Sequence, residues 1–243
     1  MSRPRLCLLM ASYDAENTRR NFRRELDADL VEFHTPEGEL PPPETAAAFE
    51  AFDGCVVTGS RASVYWDDEW IEDVAEWVAE AIADGMPFLG VCWGHQLLAH
   101  VLGGDVEDMG EYEIGYRTVS QVGSSRLFAG LDDEFTAFET HSDSVAALPE
   151  GAELIAENEY GIQGFQEGDV FGVQFHPEYD QGTAATVTRG KESLSQERID
   201  AVLDGITDEA YAEACETKQL FDNFLELVRE RRAAALGAHL TQN

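Results

Sequence analysis

Short apolar runs alternate along the chain with segments whose apolar residues recur every three or four positions. The runs at 5–10, 30–34, 54–58 and 87–91 have the length of strands, and 30–34 also alternates between apolar and polar residues. A fifth run of the same kind lies at 170–175. We therefore predict five strands separated by other elements.

The segments between the first runs are predicted to be helical. Residues 16–26 form a polar, arginine-rich helix, and residues 94–102 form a helix that Gly103 and Gly104 end. Another helix begins at the acidic residues 67–69, which we interpret as capping and dipole-matching groups rather than as metal ligands. The apolar positions of this helix follow helical spacing: Trp70, Ile71, Val74, Trp77, Val78, Ala81 and Ile82.

The rest of the chain divides into a strand-rich middle and a helical end. Residues 105–172 are predicted to form shorter strands and turns, and 36–43 is predicted to be a loop because its consecutive prolines exclude a helix. From about Gly182 the chain is predicted to be helical, with one apolar stripe along 207–232. Strands that alternate with helices, followed by a strand-rich insert, indicate an α/β fold with a mostly parallel sheet.

The charge excludes several classes of partner. The chain has 48 acidic and 16 basic residues, a net charge of −32, and its only lysines are Lys191 and Lys218. A field this negative repels phosphate, so we expect no nucleic acid and no anionic membrane as partners. Because the acids are spread between apolar positions along the whole chain, we interpret them as the surface of a halophilic globular protein.

The sequence also indicates a cytoplasmic location. It has no run of about 18 apolar residues, and its first apolar run is too short for a signal peptide. The four cysteines lie far apart, without a Cys-x-x-Cys pair, so a disulfide framework or a zinc site is not expected. Cys7 and Cys55 lie inside predicted strands as small apolar residues, and Cys215 lies in a polar helical stretch.

Cys92 has a different setting. It lies in the pattern Gly-x-Cys-x-Gly between a predicted strand and a predicted helix, which is typical of a nucleophile elbow. Gly90 and Gly94 allow the neighbouring backbones to pass closely, and the helix N-terminus favours the thiolate. The backbone N–H of Trp93 is then directed to where an oxyanion would form. We therefore predict Cys92 to be a nucleophile.

The base that such a thiol needs is best supplied by His176. This histidine follows the last predicted strand, and residues two apart on an extended segment face the same way, so Glu178 can orient the imidazole. Cys92 and His176 then lie at the carboxyl ends of strands, where open α/β sheets place their sites.

Two segments resemble the motifs of a known family, the class-I or triad glutamine amidotransferases. They are Gly-Val-Cys-Trp-Gly-His-Gln at 90–96 and Gly-Val-Gln-Phe-His-Pro-Glu at 172–178. The resemblance implies a flavodoxin-like fold and hydrolysis of the glutamine side-chain amide through a γ-glutamyl thioester. It makes Cys92 the nucleophile, His176 the general base and acid, and Glu178 the orienting carboxylate. No metal and no cofactor are expected.

The resemblance implies further site residues. The family's oxyanion loop is usually Gly-Gly-Pro, whereas this chain has Gly59, Ser60 and an arginine at the matching place; Ser60 still offers a backbone N–H. Gln96 matches a position that contacts the substrate glutamine. Asp143 lies in a His-x-Asp-x-Val segment that resembles the GMP-synthase branch, although an ordinary strand-to-loop turn explains that segment equally well.

We expect an amidotransferase domain at 1–181 and a helical extension at 182–243 packed on it. No Ser-Gly-Gly-x-Asp-Ser phosphate loop, as in the pyrophosphatase domain of a GMP synthase, occurs in the sequence. Three functions stay open: a glutaminase that supplies ammonia to a separate synthetase, a free-standing hydrolase of γ-glutamyl peptides or conjugates, and a non-catalytic binding or regulatory relative. The intact Cys92, His176 and Glu178 argue against the last.

Overall fold

A computed structural model describes residues 3–42 and 51–241, with side chains described as far as residue 235. The predicted loop at 36–43 therefore ends outside the described residues. Within them, nine strands form one sheet. The strands are β1 (Arg5–Met10), β2 (Asp29–His34), β3 (Gly54–Val57), β4 (Phe88–Val91), β5 (Asp105–Gln121), β6 (Glu134–Ala147), β7 (Glu153–Asn158), β8 (Gly161–Glu167) and β9 (Val170–Val173).

The sheet has a parallel half and an antiparallel half. Its order is β2-β1-β3-β4-β9-β8-β7-β5-β6; the first five strands are parallel, and β8, β7, β5 and β6 pair antiparallel. The flanking helices are α1 (Ala15–Glu25), α2 (Glu69–Ala83), α3 (Trp93–Val101), α4 (Gln181–Arg189), α5 (Gln196–Asp204), α6 (Asp208–Ala214) and α7 (Gln219–Thr241). The α/β class and the mostly parallel central sheet are thus confirmed.

Both faces of the parallel half are buried. Leu6 and Leu8 of β1 belong to one core, which α1 and α7 cover, while Cys7 and Leu9 belong to the other core, under α2 and α3. Burial on both faces explains why this strand is a continuous apolar run rather than an alternating one. Phe221 of α7 lies in the first core and is fully buried.

The middle of the chain differs from the predicted short strands. Strand β5 has 17 residues and β6 has 14, and they pair as one long ribbon. Their buried positions include Glu113, Glu139 and His141, which breaks the alternation of apolar and polar residues by which a strand is recognised.

Two other boundaries also differ. Strand β9 ends at Val173 instead of at residue 175, because the next residues pair elsewhere: Gln174 donates its N–H to Gln163 O, and His176 donates its N–H to Phe138 O. The region predicted to be helical from about Gly182 contains four α-helices in its described part, and a 3-10 turn at Cys215–Lys218 interrupts the segment 207–232 that carries the apolar stripe. In the described part of the chain, no helix is long and apolar enough to cross a membrane.

Candidate active site

Cys92 occupies a strained turn between β4 and α3. Its φ of 54° and ψ of −106° make it the one non-glycine residue with positive φ in the described part of the chain. Its N–H donates to Val173 O at 2.8 Å, and its carbonyl accepts the N–H of Gln96 at 3.1 Å. Such strain costs about 1–3 kcal/mol and persists only where the surrounding structure enforces it. Hydrogen bonds to β9 and to the first turn of α3 provide that enforcement.

The two glycines of the elbow are required by close backbone contacts. A Cβ at Gly90 would lie 2.4 Å from Gly94 O, and a Cβ at Gly94 would lie 2.3 Å from Val57 O. Both distances are far below van der Waals contact, and the atoms concerned belong to rigid backbone. The Gly-x-Cys-x-Gly pattern therefore reflects the packing of α3 against β3 and β4.

His176 and Glu178 form a buried hydrogen-bonded pair beside this turn. His176 Nδ1 lies 2.9 Å from Glu178 Oε1, and the residues are only 4% and 3% exposed. The ring of Tyr179 stacks on the imidazole with centroids 4.1 Å apart. Burial lowers the pKa of His176, but the charges of Glu178 and Cys92 outweigh it and raise that pKa to about 10. The imidazole is thus a cation at neutral pH.

Gly59 brings the loop after β3 against both groups. A Cβ at Gly59 would lie 3.0 Å from His176 Cε1 and 3.9 Å from Cys92 Sγ. The next residue, Ser60, borders the same space, and its Oγ accepts the N–H of Ala62 at 3.2 Å. On the other side, Trp93 is the first residue of α3, where backbone N–H groups have no partner within the helix.

Gln96 and Asp143 contact each other at the cavity that Cys92 and Ser60 also line. Gln96 Nε2 donates to Asp143 O at 2.9 Å and to Gln174 Oε1 at 3.1 Å, so both amide protons are used within the protein. The Asp143 carboxylate accepts the Tyr65 hydroxyl at 3.3 Å. Gln96 therefore fixes the segment that carries Asp143.

Cys92 lies where two cavities meet. The larger, of about 400 Å³, is bordered by Gln96 and Asp143, and the smaller, of about 100 Å³, is bordered by Gly59, His176 and Glu178. The residues that line both are Ser60, Arg61, Cys92, Thr140 and Lys191. A ligand in either cavity would therefore reach the sulfur.

The sequence that forms this site matches a known protein family. The sequence model of the family described as glutamine amidotransferase class-I matches residues 11–191. The chain belongs to this family.

Among the curated relatives of this amidotransferase are two glutamine-hydrolyzing GMP synthases. That of Thermomicrobium roseum is 39% identical over 126 residues, which cover 51% of this chain and 23% of the relative. That of Clostridium perfringens is 36% identical over 130 residues, covering 52% and 25%. The chain thus spans about a quarter of the length of these relatives.

Solved structures match along nearly the whole amidotransferase chain. A glutamine amidotransferase from Thermotoga maritima is 25% identical, with a TM-score of 0.76 over 93% of this chain and 100% of that one. A putative GMP synthase subunit from Thermoplasma acidophilum, 21% identical with a TM-score of 0.69, covers 97% and 98% and shows the same fold. The flavodoxin-like fold is therefore confirmed.

Sequence reasoning missed several residues of this amidotransferase site. Lys191 and Tyr112 line the larger cavity together with Thr140, and Arg61 lies at its mouth. Lys191 comes from the loop after α4, beyond the last motif. The sequence contains one signal for Lys191: it is one of only two lysines in a chain of 243 residues.

A buried ionisable cluster supports the wall of the cavity. His141 Nε2 lies 2.8 Å from Glu113 Oε2, and its Nδ1 donates to Asp143 O at 2.9 Å. Asn158 and Gln163 also donate to the Glu113 carboxylate. The potential ligand atoms of Glu113, Glu139 and His141 lie within 4.8 Å of one another, but direct hydrogen bonds account for the arrangement of Glu113 and His141. The cluster holds Asp143 in place.

Glu139 is the member of that cluster whose carboxyl group makes no hydrogen bond to a described residue. Its two carboxylate oxygens have no hydrogen-bond partner among the described residues, and the residue is fully buried. Burial, together with the nearby charge of Glu113, raises the pKa of Glu139 well above its usual value. Burial next to Glu113 therefore favours the protonated form of Glu139 over the ionised one.

Proposed function

We propose that the chain hydrolyses the side-chain amide of glutamine through a γ-glutamyl thioester on Cys92. The observation that carries this proposal is the strained Cys92 at the junction of two cavities, next to the buried His176–Glu178 pair. Membership of the class-I amidotransferase family supports it.

The first half of the reaction uses the imidazolium as an acid. The Cys92 thiolate attacks the γ-carbonyl carbon and forms a C–S bond, and the backbone N–H groups of Ser60 and Trp93 stabilise the oxyanion. His176 gives its proton to the amide nitrogen, the C–N bond breaks and ammonia leaves. A γ-glutamyl thioester remains. Because His176 starts as a cation, it already holds the proton that the leaving nitrogen takes.

The second half uses the neutral imidazole as a base. His176 takes a proton from a water molecule, the resulting hydroxide adds to the thioester carbon, and the C–S bond breaks to release glutamate and the thiolate. Glu178 keeps Nδ1 as the donor nitrogen and stabilises the imidazolium that forms again.

The experiment is to trap the thioester. Acid-quenched enzyme with glutamine should gain the mass of one glutamyl group on the peptide that contains Cys92, with release of one ammonia per turnover. Cys92→Ala should show neither, while the control Cys215→Ala should behave as wild type, since Cys215 lines neither cavity. Turnover by Cys92→Ala would refute the proposal.

A γ-glutamyl peptide or conjugate is the second candidate substrate. The larger cavity is open and extends past Cys92 to Glu192 and Ser193, so there is room beyond the reacting amide. The same thioester would form, with an amine leaving instead of ammonia. Comparing kcat/KM for glutamine with that for a panel of γ-glutamyl dipeptides decides between the two substrates.

A separate synthetase is the partner we propose for the glutaminase. The support is that this chain covers 98% of a protein described as a putative GMP synthase subunit. Co-purification with a synthetase, and ammonia-dependent synthesis that glutamine supports only when this chain is added, would test the pairing.

A further inference from the structure

Two cations at the cavity lack carboxylate partners although acids outnumber bases 48 to 16. Most basic residues pair with an acid, as Lys218 does with Glu25 at 2.6 Å. Lys191 and Arg61 make no ion pair with any carboxylate in the described ranges. In so acidic a protein, two unpaired cations side by side need an explanation.

Lys191 is held in place by a neighbouring phenol. Its Nζ donates to the Tyr112 hydroxyl and lies 4.8 Å from the centre of that ring. The Tyr112 hydroxyl in turn lies 3.2 Å from Thr140 Oγ1. Burial raises the pKa of Tyr112 to about 12, so the phenol stays neutral and does not cancel the lysine charge. The ammonium keeps donor capacity toward the cavity.

Arg61 adjoins the same point from the other side. A Cβ at Gly190 would lie 3.5 Å from Arg61 Nη2, which places the guanidinium beside the loop that carries Lys191. The pKa of Lys191 is lowered to about 8. Burial is the largest cause and the charge of Arg61 lowers the pKa further, while the charge of Cys92 raises it. Holding two like charges together is unfavourable in the empty cavity, and a bound anion would relieve it.

We propose that Lys191 and Arg61 form a subsite for a carboxylate of the γ-glutamyl substrate, with its γ-carbonyl at Cys92. The subsite rests on the proposed function. Asp143 borders the same cavity and offers a complementary charge for the substrate's α-ammonium group. The carboxylate has two chemical sources, the α-carboxylate of the glutamyl group or a carboxylate in the leaving group of a conjugate. Either would form charge-assisted hydrogen bonds with both cations.

Substrates that differ in one carboxylate test the subsite. Lys191→Met and Arg61→Met should each raise KM for glutamine about 10- to 100-fold, the range of a charged hydrogen bond, with kcat nearly unchanged. For glutamine α-carboxamide, which lacks the carboxylate, Lys191→Met should change KM little. If the leaving group supplies the anion instead, only γ-glutamyl dipeptides with a free carboxylate will respond. Lys218→Met, which removes the other lysine, is the matched control and should leave KM unchanged.

The pH dependence gives an independent readout. Lys191 faces Tyr112, Arg61 and Cys92, with Glu192 next to it in the chain and on the same cavity. Because Lys191 loses its charge as pH rises through about 8, kcat/KM of the wild type should fall there. Lys191→Arg stays charged, so its decline should move toward pH 10, where His176 titrates.

Three outcomes would overturn the subsite. Equal KM changes for the acid and the α-carboxamide would show that the cation does not bind a carboxylate. A loss confined to kcat, with slower alkylation of Cys92 by neutral iodoacetamide, would assign Lys191 to the thiolate instead. Hydrolysis that Lys191→Met leaves unaffected would remove the subsite but not the proposed function, which fails only if the wild type hydrolyses no γ-glutamyl compound.

Discussion

His176 Nδ1 and Glu178 Oε1 lie 2.9 Å apart in a setting from which water is almost excluded. Two residues after a histidine, a glutamate in so acidic a chain could equally have been a solvated surface group. The structure instead buries it against the imidazole. Burial of an ionised carboxylate is costly, and a hydrogen-bonded imidazolium offsets part of that cost.

This pair predicts the effect of neutralising the carboxylate. Glu178→Gln should lower kcat by about 10²–10⁴-fold, by analogy with the orienting carboxylate of serine hydrolases, and leave KM nearly unchanged. His176→Asn should lower kcat more. Steady-state kinetics checks both, with Glu167→Gln, which lines neither cavity, as the charge control. Near-full turnover in Glu178→Gln would reduce the triad to a Cys-His dyad.

Gly59→Ala should separate activity from stability. The new methyl group would lie 3.0 Å from His176 Cε1, and Gly59 has an ordinary backbone φ, so the imidazole rather than the backbone has to shift. A misplacement of about 1 Å costs on the order of 10²-fold in turnover, so the smaller shift required here should cost less than that. We expect kcat to fall and the melting temperature to stay within a few degrees of wild type, measured by ammonia release and by calorimetry. A fall in melting temperature with kcat retained would contradict the geometry.

Gly94→Ala should do the opposite and destabilise the fold. Its Cβ would overlap Val57 O at 2.3 Å, a backbone atom that cannot rotate away. Overpacking of this kind costs about 1–3 kcal/mol or more of unfolding free energy. Gly182→Ala, at a position in α4 where the added Cβ is 3.4 Å from Asp180 Oδ1, is the matched control and should be neutral or stabilising. Urea denaturation of both variants measures the difference.

Glu139→Gln should remove a pH dependence of stability. Because burial raises the pKa of Glu139 in the folded state, the native protein keeps a proton that the unfolded chain releases above the ordinary glutamate pKa. Its contribution to stability is complete below that pKa and is lost as pH rises toward the folded value. The variant should therefore gain melting temperature relative to wild type at pH 7 and match it near pH 4. For the control Glu197→Gln, at an exposed position, the difference in melting temperature from wild type should be the same at pH 4 and at pH 7.

The net charge of −32 predicts dependence on salt. Self-repulsion is screened within about 3 Å at 1 M salt and over about 10 Å at 0.1 M. The melting temperature should therefore rise steeply from dilute buffer to molar KCl. Sucrose does not screen charge, so a low concentration of sucrose in dilute buffer should produce little of that rise. A melting temperature that is independent of KCl would reject halophilic adaptation.

Neighbouring residues were enough to predict the local units of the fold and of the site. The elbow around Cys92 is visible because Gly-x-Cys-x-Gly between an apolar run and a helical segment is a local pattern, although the close contact that requires Gly94 is with Val57 O of β3. The pairing of His176 with Glu178 was predicted from an extended segment, whereas residues 177 and 178 form a turn in which the Tyr179 N–H donates to His176 O at 3.4 Å. Strands β1, β3, β4 and β9 were visible because burial on both faces makes them continuous apolar runs, whereas the less buried β2 was visible by its alternation.

The surroundings of the nucleophile depend on contacts between residues that are distant in sequence. His176 reaches Cys92 because β9 pairs with β4, a neighbour distant in sequence. Lys191 and Tyr112 meet because the loop after α4 folds back onto β5, which no local pattern encodes. The long β5–β6 ribbon was not predicted, because the polar residues Glu113, Glu139 and His141 interrupt its apolar pattern. These residues can be buried there because they interact with one another once both strands are paired. Local backbone conformation depends mainly on neighbouring residues, and a sequence pattern can therefore predict it. These long-range contacts depend on how strands distant in sequence pair within one sheet.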